Sequence, residues 1–172
     1  MKERVKNSIG GHQHNKGVIS EIVYSRFVID TSRDYYLFDV IPMGAVRMTQ
    51  SDRWKTNPNH TDPRKRQRKA VASYFAFKTI LKLQANLMEY KMGDTLDAIY
   101  FIPMPDSWSA KKKDKSNGMP CHSKPDLDNI TKAVKDCLLD EDSNVWWERA
   151  EKYWSYKGSI LIYQTSCTKI QV

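Results

Sequence analysis

The stretch that decides the fold is Leu96-Asp97-Ala98-Ile99-Tyr100-Phe101-Ile102, which is apolar at every position except Asp97. A short apolar run that contains β-branched and aromatic residues and stops at a proline, here Pro103, is typical of a strand buried on both faces. The sequence therefore predicts a central strand at this position, with the other elements packed around it.

Further strands are predicted on both sides of the central one. Tyr35 to Ile41 has strand composition, and so do Val145 to Tyr156 and Ser159 to Tyr163. Lys157-Gly158 is typical of a tight turn, so the last two strands are predicted to form a C-terminal β-hairpin. Val18 to Asp30 is rich in Val and Ile and is predicted to be a strand or hairpin arm.

Two long helices are predicted between the strands. One runs from Lys69 to about Lys91, where apolar residues repeat at helical spacing before Gly93-Asp94. The other runs from Pro125 to Leu139 and has Pro and Asp at its start. The first helix is predicted to bury one broad apolar face, made of Val71, Tyr74, Phe75, Phe77, Ile80, Leu81, Leu87 and Met88.

This order of elements predicts a single α/β (α+β) domain with a mixed sheet of about four strands. A length of 172 residues suits one hydrophobic core. We assign residues 34–172 to this domain and residues 1–33 to a partly flexible N-terminal extension. Residues 44–66 and 107–123 have the composition of loops.

Composition also indicates in which cellular compartment the protein is expected to work. No apolar run approaches the roughly 20 residues that a membrane span needs, so no membrane partner is expected. The three cysteines form no C-x-x-C pair, which argues against a disulfide framework. A reducing, cytoplasmic location is therefore expected.

The formal charge of +8 points to a polyanionic partner, with nucleic acid as the first expectation. Residues 126–142 hold six acids and two bases and carry −4, which leaves +12 on the rest of the chain. A compact acidic group in a basic protein is typical of an enzyme that binds phosphates together with a divalent cation. The predicted DNA-binding residues are Arg47, Arg53, Lys55, Arg64, Lys65, Arg66, Arg68, Lys69, Lys111, Lys112, Lys113 and Lys124.

The most informative segment is Lys124-Pro125-Asp126-Leu127-Asp128-Asn129-Ile130-Thr131-Lys132. Asp126 and Asp128 flank an apolar Leu127 that would turn into the core, so the two carboxylates can converge where the helix begins. Carboxylate oxygens suit Mg²⁺, and a nearby lysine can stabilise charge on a phosphate. The plainer interpretation is a helix cap at Asp126 and an ordinary i,i+4 pair between Asp128 and Lys132.

This segment resembles the start of the catalytic helix in the RusA family of Holliday junction resolvases, which occur in bacteria and their prophages. The likeness continues through Asp136-Cys137-Leu138, Glu141-Asp142-Ser143-Asn144-Val145 and Lys157-Gly158. Upstream, the passage from Ile102 to Lys113 is also similar to the family's strand and basic loop. In all, the resemblance covers roughly residues 36–163.

The resemblance implies a homodimeric, Mg²⁺-dependent endonuclease, for which Mn²⁺ can substitute, that makes paired cuts in four-way DNA junctions during recombination and repair. By position, Asp126, Asp128 and Asp142 would hold the metal and, together with Lys132, form the catalytic set. The connection before Asp142 is shorter than in the family pattern, so Glu141 and Asp140 are alternates for the third ligand. The cut ends implied are a 5′-phosphate and a 3′-hydroxyl.

Three other interpretations are weaker. A nuclease of the PD-(D/E)xK class needs an acid-x-Lys triplet after Pro125-Asp126, and none follows. A branched-DNA-binding protein without catalysis would gain nothing from six acids facing phosphate, but it remains the main alternative, beside another type of metal-dependent DNA nuclease. A zinc site would have to use residues whose spacing matches no finger or ribbon, namely His12, His14, His60, Cys121 and His122.

Overall fold

The computed structural model describes residues 29–30 and 32–165. The strand predicted from Val18 to Asp30 lies almost entirely outside these residues. The elements in chain order are β1 (Tyr35–Phe38), α1 (Lys69–Leu87), β2 (Thr95–Pro103), α2 (Ala110–Ser116), α3 (Leu127–Leu138), β3 (Trp147–Ser155) and β4 (Ser159–Tyr163), with short 3₁₀ turns at Gln50–Arg53, Pro63–Lys65 and Asp142–Asn144.

The four strands form one mixed sheet in the order β1-β4-β2-β3, which confirms the predicted fold class. β2 is parallel to β3, with Thr95 opposite Trp147, and antiparallel to β4, with Phe101 opposite Ser159. β1 is antiparallel to β4. β1 and β3 are therefore the two edge strands of the sheet. The predicted central strand is therefore confirmed, and Tyr100 is among its fully buried side chains.

Asp97 is the one charged residue of the central strand, and it is buried to 3% exposure. A buried carboxylate without a partner would lower the free energy of unfolding by about several kcal/mol. Arg33 meets this need, because its Nη2 lies 2.7 Å from Asp97 Oδ2. Arg33, two residues before β1, is in this way tied to the centre of the sheet.

The predicted C-terminal β-hairpin is wrong in its strand pairing. β3 and β4 lie on opposite sides of β2, about 10 Å apart, and each hydrogen-bonds to β2. Residues 156–158 cross the end of β2 instead of forming a tight hairpin turn. The chain can cross at this point because β2 ends at Pro103. The next residue, Met104, donates its N–H to the Ser155 carbonyl at 2.9 Å.

α1 and α3 pack against one face of the sheet and against each other. Lys78 of α1 donates through Nζ to the Asp136 carbonyl of α3 at 3.1 Å. Gln84 of α1 binds both backbone groups of Asp39, accepting from its N–H at 2.7 Å and donating to its carbonyl at 3.0 Å. The core between helices and sheet includes Tyr74, Phe77, Leu81, Leu96, Ala98, Tyr100, Ile130, Val134, Ile160 and Ile162. None of the described helices is both long and apolar enough to cross a membrane.

α1 is apolar on two opposite faces, so the prediction of one broad buried face is wrong for part of the set. Phe75, Ile80 and Leu87 are 45%, 43% and 72% exposed, and Leu83, at 55%, lies on the same outward side. A surface helix can bury only the stripe that faces the sheet, and the remaining apolar residues then point outward. The residues that do face the sheet are Val71, Tyr74, Phe77, Leu81 and Ala85.

α1 also ends at Leu87, before the predicted end near Lys91. Glu89 adopts a left-handed φ of 54°, which stops the helix. The turn brings the Tyr90 ring within 4.6 Å of the Tyr36 ring, measured between centroids. The helix therefore ends ahead of Gly93, and the chain after it packs an aromatic ring against β1.

Residues 107–123, predicted to be a basic loop, contain the helix α2. The Ser109 hydroxyl accepts from the Lys112 N–H at 3.3 Å and caps the first turn. The Trp108 ring packs 5.0 Å from the Trp154 ring, and the Lys112 ammonium lies 3.8 Å above the Trp108 ring. Ser109 followed by Ala and Lys, which favour helices, was the available sequence signal.

We expect Gly158→Ala to destabilise the fold, because Gly158 packs closely where the chain crosses β2. A Cβ there would lie 2.9 Å from Ile41 Cγ1 and 3.0 Å from Ile41 Cα. Overpacking of this kind lowers the free energy of unfolding by about 1–3 kcal/mol, which urea denaturation measures. Gly93→Ala is the matched control, since a Cβ there meets nothing within 4 Å. Equal losses in the two variants would contradict this packing.

Candidate functional site

The segment between α2 and α3 runs along the outer edge of β3. The Gly118 N–H donates to the Trp154 carbonyl and the Cys121 N–H to the Lys152 carbonyl, both at 2.9 Å. These bonds cover an edge that would otherwise expose unpaired backbone groups. Because of these bonds, the start of α3 lies at a fixed position beside the sheet.

Three contacts fix the first turn of α3. Lys152 of β3 donates through Nζ to the carbonyls of Ser123 and Pro125, each at 2.7 Å. On the other side, the Ala45 N–H donates to the Asn129 carbonyl at 3.1 Å. The helix start that carries Asp126 and Asp128 is therefore held between β3 and the loop that follows β1.

Asp126 and Asp128 are both exposed at this helix start. Asp126 occupies the N-cap position, yet its carboxylate makes no capping hydrogen bond. Neither side chain forms a hydrogen bond or ion pair with another residue in the described part of the chain. Leu127 between them packs against the core, as predicted. Two exposed carboxylates without partners among the described residues can offer their oxygens to a cation.

Lys132 pairs with acids other than Asp128, the partner in the plainer interpretation. Its Nζ lies 3.1 Å from Asp136 Oδ1 and 3.8 Å from Asp142 Oδ2. The hydrogen bond and the charge of Asp136, with a smaller effect from Asp142, raise the pKa of Lys132. Lys132 therefore stays protonated at neutral pH and serves as a cation rather than as a proton acceptor.

The three predicted metal ligands are not gathered into one closed cluster. Among residues 29–30 and 32–165, no group of three or more His, Cys, Asp or Glu side chains is arranged to hold a metal ion. Asp126 and Asp128 begin α3, whereas Asp142 lies beside Lys132; Asp140 and Glu141 are exposed and do not pair with that lysine. The donors fit Mg²⁺ in kind, since that ion takes one or two carboxylates and completes its shell with water and phosphate oxygens.

The residues predicted to contact DNA lie in two basic segments that lead to α3. The loop between β1 and α1 passes beside Asn129 near its start, at Ala45, and α2 precedes the segment along β3 that leads to Pro125. Most of these side chains are exposed: Arg47, Arg53, Arg64, Lys65, Arg66, Arg68 and Lys69 in the first segment, Lys111 and Lys112 on α2, and Lys124 before α3, while Lys55 and Lys113 are half-buried.

Arg68 has a structural role that the sequence did not indicate. Its Nε lies 3.0 Å from Asp52 Oδ1 and its Nη2 2.6 Å from Asp52 Oδ2, and the Asp52 side chain is almost fully buried. Hydrogen bonds from Arg68 and from Thr49 hold the pKa of Asp52 well below its usual range. This pair fastens the turn Gln50–Arg53 to the start of α1. No local pattern marks it, because the two residues stand far apart in a segment of loop composition.

The family model for endodeoxyribonuclease RusA matches residues 42–163. The match spans more than half of the chain and includes α1, α3, the acidic turn after α3, and three of the four strands. A comparison with curated proteins and a comparison with solved structures give no match.

We expect Asp136→Asn to lower the pKa of Lys132 toward the ordinary lysine value, because Asp136 is the main cause of its rise. NMR titration of the Lys132 side-chain signals in parent and variant measures the change. Asp106→Asn is the matched control, since Asp106 is a fully exposed acid that approaches another lysine, Lys113, at 3.8 Å. An unchanged Lys132 titration in Asp136→Asn would contradict the assigned pairing.

Proposed function

The chain belongs to the RusA endodeoxyribonuclease family, and from this membership we propose that it is a Mg²⁺-dependent endonuclease that cleaves four-way DNA junctions in the cytoplasm. The family acts on branched DNA. The observation that carries the proposal to this chain is the pair of carboxylates of Asp126 and Asp128, which have no partner among the described residues and lie at the start of the helix that carries the protonated Lys132.

In the proposed reaction Asp126, Asp128 and Asp142 would hold Mg²⁺ or Mn²⁺, and Glu141 or Asp140 would be the alternate third ligand. When bound, the metal supplies a water of lowered pKa and offsets the charge of the phosphate. Hydrolysis of the phosphodiester bond leaves a 5′-phosphate and a 3′-hydroxyl.

Lys132 stabilises the negative charge that develops on the phosphate oxygens, which requires a permanent cation. Asp136, its closer partner, keeps it protonated and oriented. The 3.8 Å contact with Asp142 joins two half-exposed side chains, and such pairs contribute about 0–1 kcal/mol. Asp142 is therefore free to exchange this partner for another ligand.

The exposed basic side chains of the two segments that flank α3 are proposed to hold the DNA backbone. Phosphate contacts release counterions, so binding should weaken steeply with salt, with each neutralised phosphate adding about −0.9 to the log–log slope. Such contacts position DNA without reading its sequence. The protein would therefore select its DNA substrate by shape and not by base sequence.

We infer that the active form is a homodimer, because a four-way junction has two-fold symmetry and paired cuts need two sites. The outward face of α1 supports this. There Phe75, Ile80, Leu83 and Leu87 are between 43% and 72% exposed, and helical spacing puts them on one side. Two copies of this face would form a self-complementary helix–helix contact.

Asp126→Asn and Asp128→Asn should each reduce junction cleavage about a hundredfold or more while leaving junction binding intact, because each removes a proposed metal ligand. The assay compares four-way, three-way, flap and linear DNA in Mg²⁺. Asp106→Asn, which changes an exposed acid outside α3, serves as the control.

Three outcomes of that assay would overturn parts of the proposal. Cleavage at the parent rate by either variant excludes that carboxylate from the site. A parent protein that binds junctions and never cuts them is a DNA-binding protein without catalysis. Equal cutting of linear and branched DNA makes it a different type of metal-dependent nuclease.

Leu83→Glu should shift the protein toward monomer in sedimentation velocity, because it puts a charge at the centre of the outward face of α1. Met119→Glu is the control, since Met119 is equally exposed at 55% and lies after α2. If the Leu83 variant sediments like the parent, α1 is not the interface. A parent that is monomeric throughout the concentration range would contradict the homodimer.

A further inference from the structure

Trp54 is 85% exposed, more than any other large apolar side chain described. Exposure alone says little, since single apolar side chains are common on protein surfaces. Its setting is informative in three independent respects: the charge around it, the rigidity of its turn, and the distance to α3.

The charge around Trp54 favours a polyanion. Arg53 and Lys55 are its chain neighbours, and Arg47 lies earlier in the same loop. The one acid of the turn, Asp52, is already neutralised by the two-point pair with Arg68. In the part of the chain that the structure describes, neither Arg53 nor Lys55 forms an ion pair. An aromatic ring between two cations is a combination with which proteins bind nucleic acid, because bases stack on the ring and phosphates meet the cations.

The turn that carries Trp54 is held rigidly for a surface loop. Asp52 Oδ2 accepts from the Thr49 N–H at 2.7 Å and from the Thr49 hydroxyl at 2.8 Å, in addition to Arg68. The Trp54 N–H donates to the Ser51 carbonyl at 3.4 Å. A ring presented from a fixed backbone loses little conformational entropy on binding, which favours affinity.

Near its start, the loop that carries Trp54 passes beside the first turn of α3. The Ala45 N–H binds the Asn129 carbonyl at 3.1 Å, and a Cβ on Gly44 would collide with the Asn129 side chain. Trp54 follows Ala45 by nine positions, so its Cα lies within about 32 Å of the Ala45 Cα even if the chain were extended. That is less than one turn of duplex DNA, about 34 Å.

We propose that Trp54 stacks on a base whose face is exposed next to the branch of the DNA, while Arg53 and Lys55 contact the adjoining phosphates. The proposal rests on the proposed function, because a branch exposes base faces that a continuous duplex keeps stacked. Stacking is tolerant of sequence, since every base has a π-face. Trp54 would thus contribute to the preference for branched over linear DNA.

The test uses four-way junctions with 2-aminopurine placed at single positions around the branch, in EDTA so that no cleavage occurs. The parent should change the fluorescence at one or a few branch positions. Trp54→Ala should lose that change and bind junctions roughly 5- to 150-fold more weakly, with a smaller effect on linear duplex. Trp54→Phe, which keeps a ring, should retain most of both. Tyr156→Ala is the control, because Tyr156 is an exposed aromatic outside the loop.

A Trp54→Ala variant with parental fluorescence and affinity overturns the proposal and leaves the proposed function standing. If the parent binds junctions but does not cut them in Mg²⁺, the proposed function fails, and the fluorescence still decides the role of Trp54. If the parent binds no DNA, both are wrong. Circular dichroism and thermal melting of each variant show that the fold is intact.

Discussion

The parallel pairing of β2 with β3 is the constraint on which the rest of the structure depends. Parallel neighbours cannot be joined by a tight turn, so the chain must return to the other end of the sheet through a long connection. Here residues 104–146 make that return and carry α2, α3 and the acidic turn. α3 is thus part of the crossover itself, and the strands that the crossover joins determine where the acidic start of this helix lies.

This arrangement explains how exposed charges can be held in fixed positions. α3 is anchored by its buried side, through Ile130 and Val134, and by backbone bonds at its first turn. Its outer side is left to Asp126, Asp128 and Lys132. The buried side of α3 is thus fixed by packing while these charged groups stay at the surface, so substituting them should have little effect on stability.

Local signals in the sequence were sufficient for the central strand, both long helices and the helix start at Asp126, because each depends on residues close together in the chain. The strand pairing was not predictable in the same way, since Lys157-Gly158 has turn composition whether the chain turns back or crosses β2. The pair of Arg68 with Asp52 and the choice of Asp136 over Asp128 by Lys132 depend on packing between segments. Packing also decides which apolar residues of α1 are buried. The helical periodicity identified these residues but did not show that they form two faces.

The pairing of β1 with β4 has a consequence for the synthesis of the protein. Tyr36 lies opposite Ile162, so the first strand of the sheet finds its partner only in the last. While the ribosome is still extending the chain, β1 has no neighbour among the described strands, and β2 lacks one of its two. The described sheet closes only after residue 163 has left the exit tunnel, so a chain truncated before β4 would lack the strand that joins β1 to β2.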